Sequence, residues 1–271
     1  MSYLDWSDGA PELVFLHGGG QNAHTWDRVI AALGRPAIAI DLPGHGHSSW
    51  RADRDYSPIT NAATLAEVLE RVAATATLHV GMSMGGLALI HLASSRSDLV
   101  RQVVFVDILP RAKSARHSLP AAERGATALM DGEREFSSLE DMVDRASAAS
   151  PGRSRESLAR GVANNAVQGD DGRWRWRYDD IRTAFLGGEE QAQVLWHDLS
   201  TLGMPTTLVL GGDSSFVTAH DVDRFRALAP RARVVSVPGA GHSVQGDQPL
   251  ALAGLLGDII ERPTTQRRVT G

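Results

Sequence analysis

The chain of 271 residues contains no cysteine, which excludes disulfides, thiolate nucleophiles and thiolate metal sites together. Lysine is almost as scarce: Lys113 is the only one, so Schiff-base catalysis would rest on a single side chain. No apolar run approaches the ~18 residues of a membrane span. Met1-Ser2-Tyr3-Leu4-Asp5 is neither basic nor followed by an apolar stretch of signal-peptide length, so a cytoplasmic location with no membrane partner is expected. A surplus of positive charge is also missing. The net charge of −5 argues against a nucleic-acid partner, which would need a basic face. There is no Pro-, Gly- or Ser-rich linker, no internal repeat and no low-complexity run, so the 42% apolar content points to one large core, with or without an inserted lobe.

Short apolar runs punctuated by glycine and charge organise what is present. Glu12–Leu16 stops at His17-Gly18-Gly19-Gly20, and Pro36–Ile40 stops at Asp41-Leu42-Pro43-Gly44-His45-Gly46-His47-Ser48-Ser49. Val103–Val106 ends at Asp107, Thr206–Leu210 at Gly211-Gly212-Asp213, and Val234–Val237 leads into Gly239-Ala240-Gly241-His242. Thr25–Leu33 and Asn61–Thr75 carry apolar residues at helical spacing between them. Continuous apolar strands separated by amphipathic helices describe an α/β protein with a mostly parallel sheet covered on both faces. Every glycine- or charge-rich stretch falls at a strand's C-terminal end, where open α/β sheets bind ligands.

From Pro110 to about Leu199 this rhythm stops. Helical patterns take over (Glu123–Met130, Leu139–Ala149, Ser157–Val167), with an aromatic cluster at Trp174-Arg175-Trp176-Arg177-Tyr178. A stretch that long is no plain loop. It predicts an inserted helical cap over residues 110–199, dividing the core into 1–109 and 200–271; the polar tail from Arg262 is expected to fray.

The chemistry centres on Gly81-Met82-Ser83-Met84-Gly85, a G-x-S-x-G run between an apolar strand and the helix Leu87–Ala93. Small residues on both sides let the backbone turn sharply and lift a hydroxyl clear of the sheet. The same seam, with an incidental serine, could also bind phosphate at a helix N-terminus. A serine hydroxyl is a poor nucleophile unless a base lies within hydrogen-bond reach and an acid orients that base. His242, in a glycine loop after the last core strand, is the candidate base. Asp107 and Asp213, each at a strand end, are the candidate acids. Backbone N–H groups of Gly19 and Met84 are placed to face a developing oxyanion. Gly18 and Trp176 are candidates for substrate contact; Trp174, Trp176 and Tyr178 are read mainly as core of the cap, with one of them facing the site. His17, His24, His45 and His47 lie near the same edge but lack a carboxylate-plus-histidine metal spacing; no metal is expected, and His45 and His47 are read as holding a loop.

His17-Gly18-Gly19-Gly20, Asp41 to Ser48, Gly81 to Gly86 and Gly239 to His242, in this order, resemble the α/β-hydrolase family over the whole core. The resemblance implies Ser83 as nucleophile, His242 as base, and Gly19 and Met84 as the oxyanion hole, with no cofactor. Most members carry the acid in a G-x-x-D pattern after the penultimate core strand, whereas the fourth position from Gly211 here is Ser214. Val106-Asp107-Ile108-Leu109-Pro110 is similar to an esterase subset that carries the acid one strand earlier, which favours Asp107, with Asp213 as the alternative. The expected function is a serine hydrolase acting on small to medium carboxylic esters through an acyl-enzyme. A carbon–carbon bond hydrolase, lactonase or lyase on the same residues, or a receptor-like member with little turnover, are the alternatives. Dehalogenases and epoxide hydrolases of this fold carry Asp where this chain has Ser83.

Overall fold

A computed structural model describes residues 1–111, 125–180 and 188–261. The first strand, β1 (Tyr3–Asp5), is followed by β2 (Leu13–Leu16), a 3-10 turn at Ala23–Trp26, α1 (Asp27–Leu33), β3 (Ala37–Ile40) and α2 (Pro58–Val72). Then come β4 (Leu78–Met82), α3 (Met84–Ser95) and β5 (Val103–Val106). The middle of the chain holds a 3-10 segment at Gly125–Asp131, β6 (Glu135–Phe136), α4 (Leu139–Ala149), α5 (Arg155–Asn165), β7 (Ala166–Gln168) and β8 (Trp174–Trp176). It closes with α6 (Glu189–Thr201), β9 (Thr206–Gly211), α7 (Ala219–Leu228), β10 (Arg233–Val237), α8 (Val244–Asp247) and α9 (Pro249–Glu261).

Seven strands form the main sheet in the order β1-β3-β2-β4-β5-β9-β10. Only β1 is antiparallel to its neighbour, pairing Tyr3 with Ile40 and Asp5 with Ile38. All four residues of β2, β3 and β5 are buried, because both faces of the sheet are covered. Val14, Leu16, Ile38 and Ile40 pack into the layer of α2 and α3, while Leu13, Phe15, Ala37 and Ala39 pack into that of α1 and α9. Successive side chains thus feed opposite layers, and the strands read as unbroken apolar runs rather than alternating ones. Among the described residues no helix is long and apolar enough to cross a membrane.

The segment expected to be purely helical is mixed instead. Its strands β6, β8 and β7 make a separate antiparallel sheet in that spatial order, and the aromatic cluster supplies β8. This sheet meets the core at the loop after β3: Gly46 N–H donates to Arg177 O at 2.9 Å and Asp179 N–H to Gly44 O at 2.8 Å. Helix α6, although inside the 110–199 span, packs on α3 of the core, with His91 Nδ1 2.8 Å from Asp198 Oδ2. The expected helical pattern at Glu123–Met130 falls partly outside the described residues and is 3-10 within them. Lys113 and the tail from Arg262 lie outside the described residues.

Candidate active site

Strands β2, β4, β5 and β9 are consecutive neighbours in the sheet and all parallel, so the segments leaving their C-terminal ends share one edge. The turn after β4 carries Ser83 at φ 49° and ψ −116°, a strained conformation for a residue with a side chain. Tight packing imposes it. A Cβ on Gly85 would lie 2.7 Å from His17 O and from Leu16 Cβ, and one on Gly81 would lie 2.8 Å from Gly85 O. With neither present, Gly85 N–H donates to His17 O at 3.0 Å and locks the start of α3 to the loop after β2.

Ser83 Oγ lies 3.1 Å from His242 Nε2 across 159 positions of sequence, and His242 Nδ1 lies 2.8 Å from Asp107 Oδ2. All three residues are buried. Asp107, at φ 50°, directly follows β5. Its Oδ1 accepts the Gly211 N–H at 3.0 Å, and its Oδ2 also accepts the Ser214 hydroxyl. Asp213 sits apart: its side chain is exposed, and its N–H donates to Ala240 O at 2.9 Å as part of a turn. The loop after β9 contributes Phe216, whose ring stacks on the His242 imidazole at 3.5 Å between centroids and 9° between planes.

On the other side of Ser83, the loop Gly18–Gly20 is held by two buried histidines. His17 Nε2 accepts the Leu42 N–H at 2.9 Å while its Nδ1 lies 2.8 Å from Gly18 O. His45 Nε2 accepts the Gly20 N–H at 3.1 Å while its Nδ1 lies 3.0 Å from Pro43 O. Both rings can satisfy these contacts only as neutral imidazoles with the proton on Nδ1. Burial enforces that state, lowering the pKa of His17 to about 4 and, with the neighbouring His17 adding to the effect, that of His45 to about 3. His47 contributes through its backbone, donating to Asp41 Oδ2 at 2.9 Å, with its side chain exposed. Gly19 is buried in this loop, and Met84 N–H is one of the first in α3, which have no acceptor inside the helix. Gly18 adjoins the serine: a Cβ there would lie 3.2 Å from Ser83 Cβ. Trp176 belongs to β8 of the inserted sheet. It is buried between Phe136, edge-on at 5.7 Å, and Tyr178, stacked at 6.1 Å.

The model of the alpha/beta hydrolase family matches residues 13–255. This chain belongs to that family. It is 50% identical over 264 residues to the esterase Rv0045c of Mycobacterium tuberculosis, covering 96% of this chain and 86% of that protein. A solved structure of that esterase superposes with a TM-score of 0.85, covering 96% of this chain and 88% of the other. The sn-1-specific diacylglycerol lipase ABHD11 of Mus musculus is 27% identical over 252 residues, covering 91% of this chain and 80% of that protein. E-2-(acetamidomethylene)succinate hydrolase, at 22% identity and a TM-score of 0.80 over 96% of this chain and 94% of that one, shares the fold.

Two residues at the family edge were not singled out for the site by pattern. Ser214 occupies the fourth place from Gly211, where most members have the acid, and its hydroxyl reaches the carboxylate of the neighbouring strand. The departure from G-x-x-D was the signal for it. Phe216 had none, since an aromatic two residues further along a loop has no periodic neighbour.

Proposed function

We propose that the chain is a serine hydrolase that cleaves carboxylic esters of small to medium acyl groups through an acyl-enzyme, without a cofactor. The unbroken contact chain from Ser83 Oγ through both His242 nitrogens to Asp107 Oδ2 carries this reading. The hydroxyl attacks the ester carbonyl carbon as its proton passes to His242 Nε2. Asp107 stays ionised and stabilises the imidazolium through Nδ1–H. The N–H groups of Gly19 and Met84 receive the oxyanion of the tetrahedral intermediate. His242 then gives its proton to the leaving alkoxide oxygen as the carbon–oxygen bond breaks, releasing the alcohol. Water, deprotonated by the same imidazole, attacks the acyl-enzyme and the acid departs.

In this reading Asp107 rather than Asp213 is the acid, Gly18 leaves room beside the nucleophile for the substrate, and Trp176 supports the cap instead of touching the acyl group. Residues 125–180 act as the cap over the site, and α6 belongs to the core layer. The partner is a small-molecule ester, and the working location is the cytoplasm. The test is a fluorophosphonate probe followed by a panel of p-nitrophenyl esters from two to twelve carbons. Rapid labelling that disappears in Ser83→Ala, with turnover concentrated among the shorter esters, is the expected result. A folded protein that resists labelling would overturn the catalytic reading in favour of a receptor.

A further inference from the structure

A cavity of about 440 Å³ lies behind the His242 loop, between α1, α5 and α8, and neither Ser83, Asp107 nor His242 contributes to its wall. Its size falls within the ~300–1,000 Å³ common for small-molecule sites. Leu158, Val162 and Trp176 supply apolar wall, and Arg28, Arg153 and Arg160 supply positive charge. Asp27 is the carboxylate residue of the wall among the described residues; His24 Nδ1 engages its Oδ2 at 2.9 Å, and its Oδ1 is buried without a hydrogen-bond partner there. Arg160 is paired with Glu156. Arg153 donates from Nη2 to Ser157 Oγ at 3.3 Å, but its Nε has no hydrogen-bond partner among the described residues, with Asp247 Oδ1 3.9 Å away. Burial lowers the Arg153 pKa, Asp247 raises it, and nearby Arg28 lowers it.

Trp176 Nε1, a further donor on this wall, is buried without a partner among the described residues on a residue only 4% exposed, while the orphan on Gln245 is its acceptor Oε1. Two donors on residues of one wall, Arg153 Nε and Trp176 Nε1, thus lack acceptors among the described residues. From this we propose that the cavity is a second ligand site, taking a small organic carboxylate with an apolar body. The carboxylate pairs with Arg153 under the field of Arg28, and the apolar body lies against Leu158, Val162 and Trp176.

The site is wired to the catalytic loop. Asp247, which faces Arg153, accepts the Gly241 N–H through Oδ2 at 2.9 Å, immediately before His242. Gln245 Nε2 donates to Gln21 Oε1 at 3.2 Å, and Gln21 Nε2 donates to Ser243 Oγ at 3.1 Å, immediately after His242. An anion on Arg153 competes with Asp247 and repels it, disturbing the bond that fixes Gly241. The bound carboxylate therefore lowers kcat and leaves KM unchanged. The identification of this ligand class with the reaction's own acid product rests on the ester-hydrolase reading above; the binding itself does not.

Sodium octanoate, titrated into the full-length Ser83→Ala protein by calorimetry with tryptophan fluorescence alongside, tests binding without turnover. Saturable binding is expected, with 1-octanol about tenfold weaker or worse for lack of the charge. Arg153→Met is expected to weaken octanoate about tenfold or more. Arg28→Glu, on the exposed rim where folding is not at stake, is expected to weaken it about threefold at low ionic strength and less at high salt. Equal affinity for octanol and octanoate, or octanoate affinity unchanged in both arginine variants, overturns the proposal. In the wild-type protein, inhibition of ester turnover that is competitive and survives Arg153→Met also overturns it, because the acid then binds at Ser83. A protein that binds octanoate as expected yet hydrolyses no ester refutes the catalytic reading and leaves this site standing.

Discussion

On one flank of Ser83 a buried carboxylate, Asp107, accepts hydrogen bonds from Gly211 and Ser214 and faces His242 Nδ1; on the other, two buried imidazoles, His17 and His45, accept from Leu42 and Gly20. Both flanks bury polar groups that must be satisfied, and they do so with different charge. The carboxylate is surrounded by donors beside the imidazole. The imidazoles are held neutral, so that the glycine loop is fixed by acceptors that add no charge of their own. In the proposed mechanism the charged side is the one where a transient imidazolium would form, and the side offered to the oxyanion is built from oriented N–H dipoles.

The contrast can be broken first at the charged flank. Asp107→Asn keeps the shape but places an amide where Nδ1–H needs an acceptor; kcat for an ester is expected to fall about ten-thousandfold, with the thermal transition still cooperative. At the neutral flank, His45→Phe removes the acceptor of the Gly20 N–H and releases the loop holding Gly19. A fall in kcat of about a hundredfold is expected there, measured at saturating ester. Acid does to the wild-type protein what that substitution does. The folded-state pKa values of His17, His45 and the buried His79 (lowered by burial to about 4) lie below the unfolded value of 6.5. Between pH 6.5 and about 4 the unfolded chain therefore binds protons that the native chain does not, and stability falls as pH falls across that window. Thermal unfolding from pH 7 to pH 4 is expected to show a steep loss, with a shallower slope in His79→Leu; an equally steep slope there would remove His79 from the account.

Smaller effects sharpen the comparison. Ser214→Ala deletes one donor to the Asp107 carboxylate and is expected to lower kcat about tenfold, with KM little changed. Asp213→Asn alters an exposed turn and is expected to stay within about twofold of wild type in both constants.

Legibility in the sequence followed the same physical divide. Ser83, His242 and the Gly18–Gly20 loop were readable because each demands a particular backbone, and glycine at fixed offsets is the trace such demands leave. Asp107 and Asp213 were both readable as strand ends, yet nothing in a linear pattern separates a carboxylate turned under the imidazole from one turned to solvent; that depends on β5 and β9 lying side by side. Ser214 and Phe216 meet Asp107 and His242 across 107 and 26 positions of the chain, and no periodicity encodes such meetings. In the insertion, the two- and three-residue strands β6, β7 and β8 are too short for an alternation to show, so the segment reads as helical throughout. The short edge strand β1 was missed for the same reason.

Proton NMR of the protein in water offers the most direct measurement, because a buried imidazole N–H donated to a carboxylate gives a far-downfield resonance of its own. The His242 Nδ1–H signal should vanish in Asp107→Asn and persist in Asp213→Asn. Its survival without the Asp107 carboxylate, or its loss with Asp213 replaced, would contradict the pairing of Asp107 with His242 on which the catalytic assignment depends.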